Sequence, residues 1–186
     1  MPCSRNLRRT SEVTIAQQTT TLLGIDTALR STGYGVITMT GRKFTAVDCG
    51  VIRNTRQAPI SDCLRRHGSG IEELVKTFKP DFASIEGSFY FKNAKTAMLL
   101  GMARGAVVSI LARHGIPCYE YAPRKARKIV IGSGSATKLQ IAEFMARTLN
   151  LDVADIPDDA TDAMAMAVCH GISMQTGDGL YLPEPI

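Results

Sequence analysis

Five cysteines (Cys3, Cys49, Cys63, Cys118 and Cys169) are an odd number, scattered along the chain with no C-x-x-C pair. That pattern excludes a disulfide framework and a zinc ribbon, and fits a reducing, cytoplasmic compartment. No apolar run approaches the roughly 18–20 residues needed to cross a bilayer, so no membrane partner is expected. The first 20 residues carry Arg5, Arg8 and Arg9 but no apolar stretch, which excludes a secretory signal. They are read as a disordered extension, 1–20, ahead of one domain over 21–174. An irregular tail, 175–186, carries Pro183 and Pro185. There is no internal repeat and no G-x-x-x-x-G-K-[ST] phosphate loop. At 186 residues, 45% hydrophobic and 21% charged, the chain is long enough to bury a substantial core.

Acids are scarce where bases are plentiful. Residues 1–142 hold 21 Lys and Arg against 9 Asp and Glu, a net of +12. Residues 143–186 reverse the sign, with Arg147 alone against 8 acids, a net of −7. A basic body points to a polyanionic partner, and a late acidic cluster in such a chain calls for its own explanation.

The hydrophobic pattern predicts a strand over 21–26, a second over 33–40 and a third over 44–52. The two short gaps between them suggest an antiparallel meander. A helical pattern over 60–78 contains Gly68-Ser69-Gly70, where a kink or break is expected. A fourth strand over 82–86, a long helix over 93–114, a fifth strand over 117–121, and helices over 138–149 and 159–172 follow. Strands separated by helices imply parallel crossovers. The predicted fold is α/β, a five-stranded mixed sheet flanked by helices on both faces, of ribonuclease-H-like type.

Four carboxylates stand out by context. Asp26 and Glu86 end apolar strands. Asp159 and Asp162 open an apolar helix at i, i+3 spacing, on one face. Taken singly, each has an ordinary explanation: helix capping for the pair, a turn for Asp26, an ion pair for Glu86. Taken together, neighbouring first and fourth strands would bring all four to one point. Converging carboxylates repel, and a hard divalent cation relieves the repulsion. Two Mg²⁺ ions would then suit phosphodiester hydrolysis, and no His or Cys grouping competes for zinc.

These residues resemble a known family. Gly24-Ile25-Asp26 with Thr32-Gly33-Tyr34-Gly35-Val36-Ile37 resembles the opening of the RuvC-type bacterial Holliday-junction resolvases. So do Lys79-Pro80-Asp81 with Ile85-Glu86, Phe89 with Lys92-Asn93, and Leu100-Gly101-Met102-Ala103-Arg104-Gly105. Further on, Glu120-Tyr121-Ala122-Pro123, residues 132–138, and Asp159-Ala160-Thr161-Asp162 with Cys169-His170 match in the same order. The resemblance implies a ribonuclease-H-like nuclease that makes paired, symmetric, Mg²⁺-dependent nicks across four-way junction DNA in recombination and repair. It also implies a homodimer working beside a branch-migration motor, and Mn²⁺ as a substitute metal. By position, Asp26, Glu86, Asp159 and Asp162 become the catalytic, metal-binding carboxylates. The chain departs from the family at Thr27-Ala28, where Pro-Gly is usual. Ala tolerates positive φ poorly, so a reshaped turn is expected there.

Basic and aromatic residues complete the reading. Arg124, Arg127 and Lys128 precede the loop that holds Ser133, and Lys138 closes it. Together they are read as a clamp on the DNA backbone, with Arg127 and Lys138 matching the family's basic contacts. Phe89 matches its junction-inserting aromatic, suited to stack on or wedge between bases. The alternatives are a junction-binding protein impaired in catalysis and a ribonuclease-H-like nuclease for another nucleic acid. An actin-like sugar kinase would need a second such domain, for which 186 residues are too few.

Overall fold

The structure is a computed structural model and describes residues 18–87, 93–152, 156–176 and 182–186. Its elements run β1 (Thr19–Asp26), β2 (Ser31–Thr40), β3 (Lys43–Arg53), α1 (Ile60–Phe78), β4 (Phe82–Glu86), α2 (Ala94–Arg113), β5 (Cys118–Tyr121), α3 (Pro123–Ile131), α4 (Lys138–Leu149) and α5 (Asp158–Gln175). The strands form one sheet in the order β3-β2-β1-β4-β5. The first three pair antiparallel, and β1-β4 and β4-β5 pair parallel. This is the mixed sheet that the spacing predicts, with β1 starting two residues earlier, at Thr19.

Alternation along the strands splits the core. On one face Leu23, Ile25, Val36 and Ile85 pack against Ile71 and Val75 of α1 and Val107 and Leu111 of α2. On the other, Leu22 and Ile37 meet Val130 of α3, Met145 of α4 and Met164 and Val168 of α5. Side chains two apart on a strand share a face, so Asp26 points to the α5 side with Leu22 and Gly24.

Three expectations change. Helix α1 runs unbroken through Gly68-Ser69-Gly70, because its apolar stripe (Cys63, His67, Ile71, Leu74, Val75) is buried on both sides of the glycines. The basic stretch after β5 is itself a helix, α3, with Pro123 at its start and Gly132 ending it in the left-handed conformation at φ 79°. The tail is not wholly irregular: the Ile186 amide bonds the Cys118 carbonyl at 2.9 Å, and Pro185 bridges Tyr119.

Contrary to the expectation that no apolar run is long enough, helix α2 has the length and hydropathy to cross a membrane. Arg104 at its middle ties it to the sheet instead, donating to the Glu86 carbonyl at 3.1 Å and pairing with Glu120. Cys49, Cys63, Cys118 and Cys169 are free thiols.

Candidate active site at the strand ends

Ile25 pairs with Ile85 in the parallel β1-β4 ladder, so the next residues, Asp26 and Glu86, end their strands side by side. Helix α5 crosses above them at very short range. A methyl group built on Gly24 would overlap the Ala163 carbonyl, and one on Gly33 would overlap the Asp159 carbonyl. Two glycines, on adjacent strands, thus let the backbone of α5 rest directly on the sheet. That seating carries Asp159 and Asp162, in the first turns of α5, toward the carboxyl end of β1.

Asp26, Glu86 and Asp162 line one cavity of about 190 Å³, together with Arg127 and Lys138. Asp159 does not line it; its carboxylate accepts a hydrogen bond from the Ser31 hydroxyl. Lys138 donates from Nζ to Asp162 Oδ2 at 2.9 Å. It is placed there by a Thr137 cap on α4, reinforced by Gln140 bonding back to the cap.

The electrostatics follow from crowding. Burial, then the charges of Glu86, Asp162 and Asp159, push the Asp26 carboxyl up to about 7, against the pull of Lys138. Glu86 is raised by burial and by Asp162, and lowered in part by Arg127 and Lys138. Lys138 itself is raised by its bond to Asp162.

Among the described residues, no three acidic, histidine or cysteine side chains already form a closed metal cage. The carboxylates are instead held by Ser31 and Lys138. The donor set still fits a hard cation: every candidate ligand is a carboxylate oxygen, and Asp26 sits where negative charge is costly unless a cation offsets it.

The loop 27–30 is pinned. Thr32 Oγ1 donates to the Ala28 carbonyl, and Asn54 Nδ2 and His67 Nε2 both reach the Leu29 carbonyl, each at 3.0 Å. Arg30 reaches the carbonyls of Thr55 at 2.7 Å and Ala58 at 2.9 Å. Neither Thr27 nor Ala28 has positive φ, so the turn holds both residues without backbone strain. His67 is fully buried, and burial lowers its pKa, which suits a neutral ring donating from Nε2.

Not every predicted contact converges. Arg127 lines the acidic cavity, but Arg124 and Lys128 are exposed outside it. Ser133 lies in a separate groove with Glu143 and Arg147. Phe89 lies outside the described residues. His170, part of the C-terminal match, is a core side chain: it bonds the Tyr121 hydroxyl at 2.9 Å and stacks on Tyr119 with centroids 4.3 Å apart. Burial pushes its pKa down to about 4. Ser31 and Arg104 are the residues that sequence reasoning missed as parts of the site. Arg104 belonged to a matched motif, but nothing in the spacing pointed to the Glu86 carbonyl, and Ser31 carried no signal.

The sequence family described as crossover junction endodeoxyribonuclease RuvC matches residues 22–170, from β1 to the middle of α5. The chain belongs to the RuvC family. A RuvC from Protochlamydia amoebophila is 40% identical over 149 residues, covering 80% of this chain and 89% of that protein. A RuvC from Haemophilus influenzae is 42% identical over 155 residues, covering 83% and 80%. The solved structure of T. thermophilus RuvC in complex with a Holliday junction substrate superposes with a TM-score of 0.83 at 26% identity, covering 90% of this chain and 99% of that one. The RuvC match places the mixed sheet in the ribonuclease-H-like class. It contains Asp26, Glu86, Asp159 and Asp162.

Proposed function

We propose that this RuvC-family chain is a structure-selective endodeoxyribonuclease that resolves four-way DNA junctions by paired, symmetric nicks. The observation that carries the reading is the cavity itself. Asp26, Glu86 and Asp162 share it with Arg127 and Lys138, so acids for a metal and cations for a phosphate lie side by side. The likeness to a RuvC solved with a Holliday junction supports the substrate class.

Asp26, Glu86, Asp159 and Asp162 are the residues that would hold Mg²⁺, two ions per site with Mn²⁺ able to substitute. Bound there, the metal would supply Lewis acidity toward the scissile phosphate and a means of activating water. The chain's own groups do the rest. Ser31 orients the Asp159 carboxylate, and Arg104 fixes the backbone that carries Glu86. Lys138 and Arg127 offer positive charge to the phosphate. Lys138 also donates to Asp162 and so orients its carboxylate.

Asp159→Asn tests the reading. The change removes a charge while nearly keeping shape and the bond from Ser31. Cleavage of a labelled synthetic four-way junction is expected to fall at least about a thousandfold, with junction binding retained. An Asn variant that cuts like the wild type would end the assignment of Asp159.

The same proposal has the chain act as a homodimer beside a branch-migration motor. Helix α2 supports the dimer. Met98, Gly101, Met102 and Gly105 fall at i, i+3, i+4 and i+7, and so form one stripe. Met98 is 60% and Met102 40% exposed, and among the described residues nothing lies within 4 Å of a methyl group built on Gly101 or Gly105. A mid-helix glycine costs roughly 0.5–1 kcal/mol against Ala, and no contact among the described residues uses the space these two leave. A second copy packed on the stripe would. Gly101→Lys is expected to turn a dimer into a folded monomer in sedimentation equilibrium. A dimer unchanged by Gly101→Lys would place the interface elsewhere.

A further inference from the structure

Resting on that reading, we propose that the DNA backbone continues past the acidic centre onto a row of arginines at the β3 edge: Arg53, Arg56 and Arg66, with Arg65 beside them. The sheet topology places Arg53, a shared groove joins Arg65 and Arg66 to it, and Arg56 follows three residues on in the chain. Strand β3 runs antiparallel to β2 and therefore parallel to β1, so its last residue, Arg53, lies at the same end of the sheet as Asp26 and Glu86. In register, Arg53 pairs with Ser31, the residue whose hydroxyl holds Asp159. Across the strand ends the order is Arg53 on β3, Ser31 with Asp159 on β2, Asp26 on β1 and Glu86 on β4. Arg127 of α3 lines the acidic cavity and acts on Glu86. Acids occupy the middle and cations both flanks, which is the charge pattern that a strand of phosphates crossing the sheet end would match.

The spacing suits that path. Two strand separations across and two residues along the strand direction, about 12 Å in all, divide Arg53 from Asp26, since Asp26 pairs with Gly33 and Gly33 with Val51. A backbone leaving the phosphate being cut covers that distance within a few nucleotides. The surface is also built to receive an anion. Arg53, Arg65 and Arg66 line a groove of about 420 Å³ with Thr55 and Ser69 as further donors. All four arginines are exposed. The one acid in that lining, Asp62, is engaged by Arg65 at 3.4 Å. Arg66 also borders a neighbouring groove that holds Asp48 and Glu73, which ends the cationic strip on that side. Helix α1 opens here on Pro59 without a side-chain cap, so its amide end adds to the same potential.

The test is the salt dependence of binding. A fluorescent synthetic four-way junction is titrated with protein in Ca²⁺, between about 50 and 200 mM salt, where each phosphate contact contributes a log–log slope near −0.9. The R53A/R56A/R66A variant is expected to bind at least about tenfold more weakly, with a slope shallower by roughly 2 to 3. R53K/R56K/R66K keeps the charge and should stay close to wild type. Arg113→Ala, at the opposite end of the sheet, should leave the slope unchanged. A wild-type slope in the alanine variant overturns the proposal, as does equal weakening in the alanine and lysine variants at unchanged slope. If the wild type binds the junction no better than a duplex of the same length, the junction reading fails. The slopes of wild type and variant then still decide the arginine row on the duplex.

Discussion

Exchanging Asp26 for Asn is expected to make the metal-free protein more heat-stable at pH 8 while abolishing cleavage. Crowding raises the Asp26 carboxyl from 3.8 to about 7 in the fold. Between those values the native chain keeps a proton that the unfolded chain has lost. Stability is therefore full below about pH 4 and declines as pH rises, until the native group too ionises near 7. Above that, the charged carboxylate stands against Glu86, Asp159 and Asp162, which the pull of Lys138 offsets in part. The gap corresponds to at most roughly 4 kcal/mol. Asn carries no charge, so its advantage should be absent at pH 4 and should level off above pH 7, at roughly 5–10 °C in melting temperature. Magnesium should reverse the order at pH 8, by stabilising the wild type and not the variant. Thermal melts at pH 5 and pH 8, each with and without Mg²⁺, measure all of this. A wild type that keeps pace with Asp26→Asn from pH 5 to pH 8 would show that the carboxylates are not crowded.

The parts of this site that could be read in advance are those with a local signature. Asp26 and Glu86 each end a short apolar run, where a carboxylate has no role in the core, and the meander followed by crossovers puts strands one and four together. Asp159 and Asp162 share a helix face by spacing alone. Helix α3 escaped because only 9 residues form it, four of them basic, and a charge-rich segment reads as a solvated loop. The break expected at Gly68 did not occur, since buried Ile71, Leu74 and Val75 hold α1 against the sheet more strongly than two glycines loosen it. Ser31 was invisible for a different reason. Its partner lies 128 residues away, and a hydroxyl at a strand start is ordinary until the helix is seated. The arginine row was hidden likewise, because only the register of β3 aligns Arg53 with the acids.

Gly33→Ala should cost more activity than any other single methyl group added to this chain. The new carbon would overlap the Asp159 carbonyl oxygen, with the carbonyl carbon close behind. Both obstacles are backbone, and Gly33 is itself fixed between β1 and β3 in the sheet, so no side-chain rotation relieves the clash. Relief must come from α5 lifting off the sheet at its first turn. That motion carries Asp159 away from Ser31 and draws Asp162 back from Asp26. Displacement of about 1 Å can cost a hundredfold in rate, and overpacking of this kind costs roughly 1–3 kcal/mol in stability. Gly68→Ala supplies the contrast, since the nearest atoms to its new carbon are on Ile110 at an ordinary 3.8 Å. There the methyl group replaces a glycine inside a continuous helix, and stability should rise by about 0.5–1 kcal/mol with cleavage unchanged. The expected signature of Gly33→Ala is therefore a cleavage loss far larger than its melting shift, with junction binding largely kept through the cations on the flanks. Urea titration alongside single-turnover cleavage separates the two effects. Wild-type cleavage by Gly33→Ala would mean that α5 does not set the position of its two aspartates by resting on this glycine.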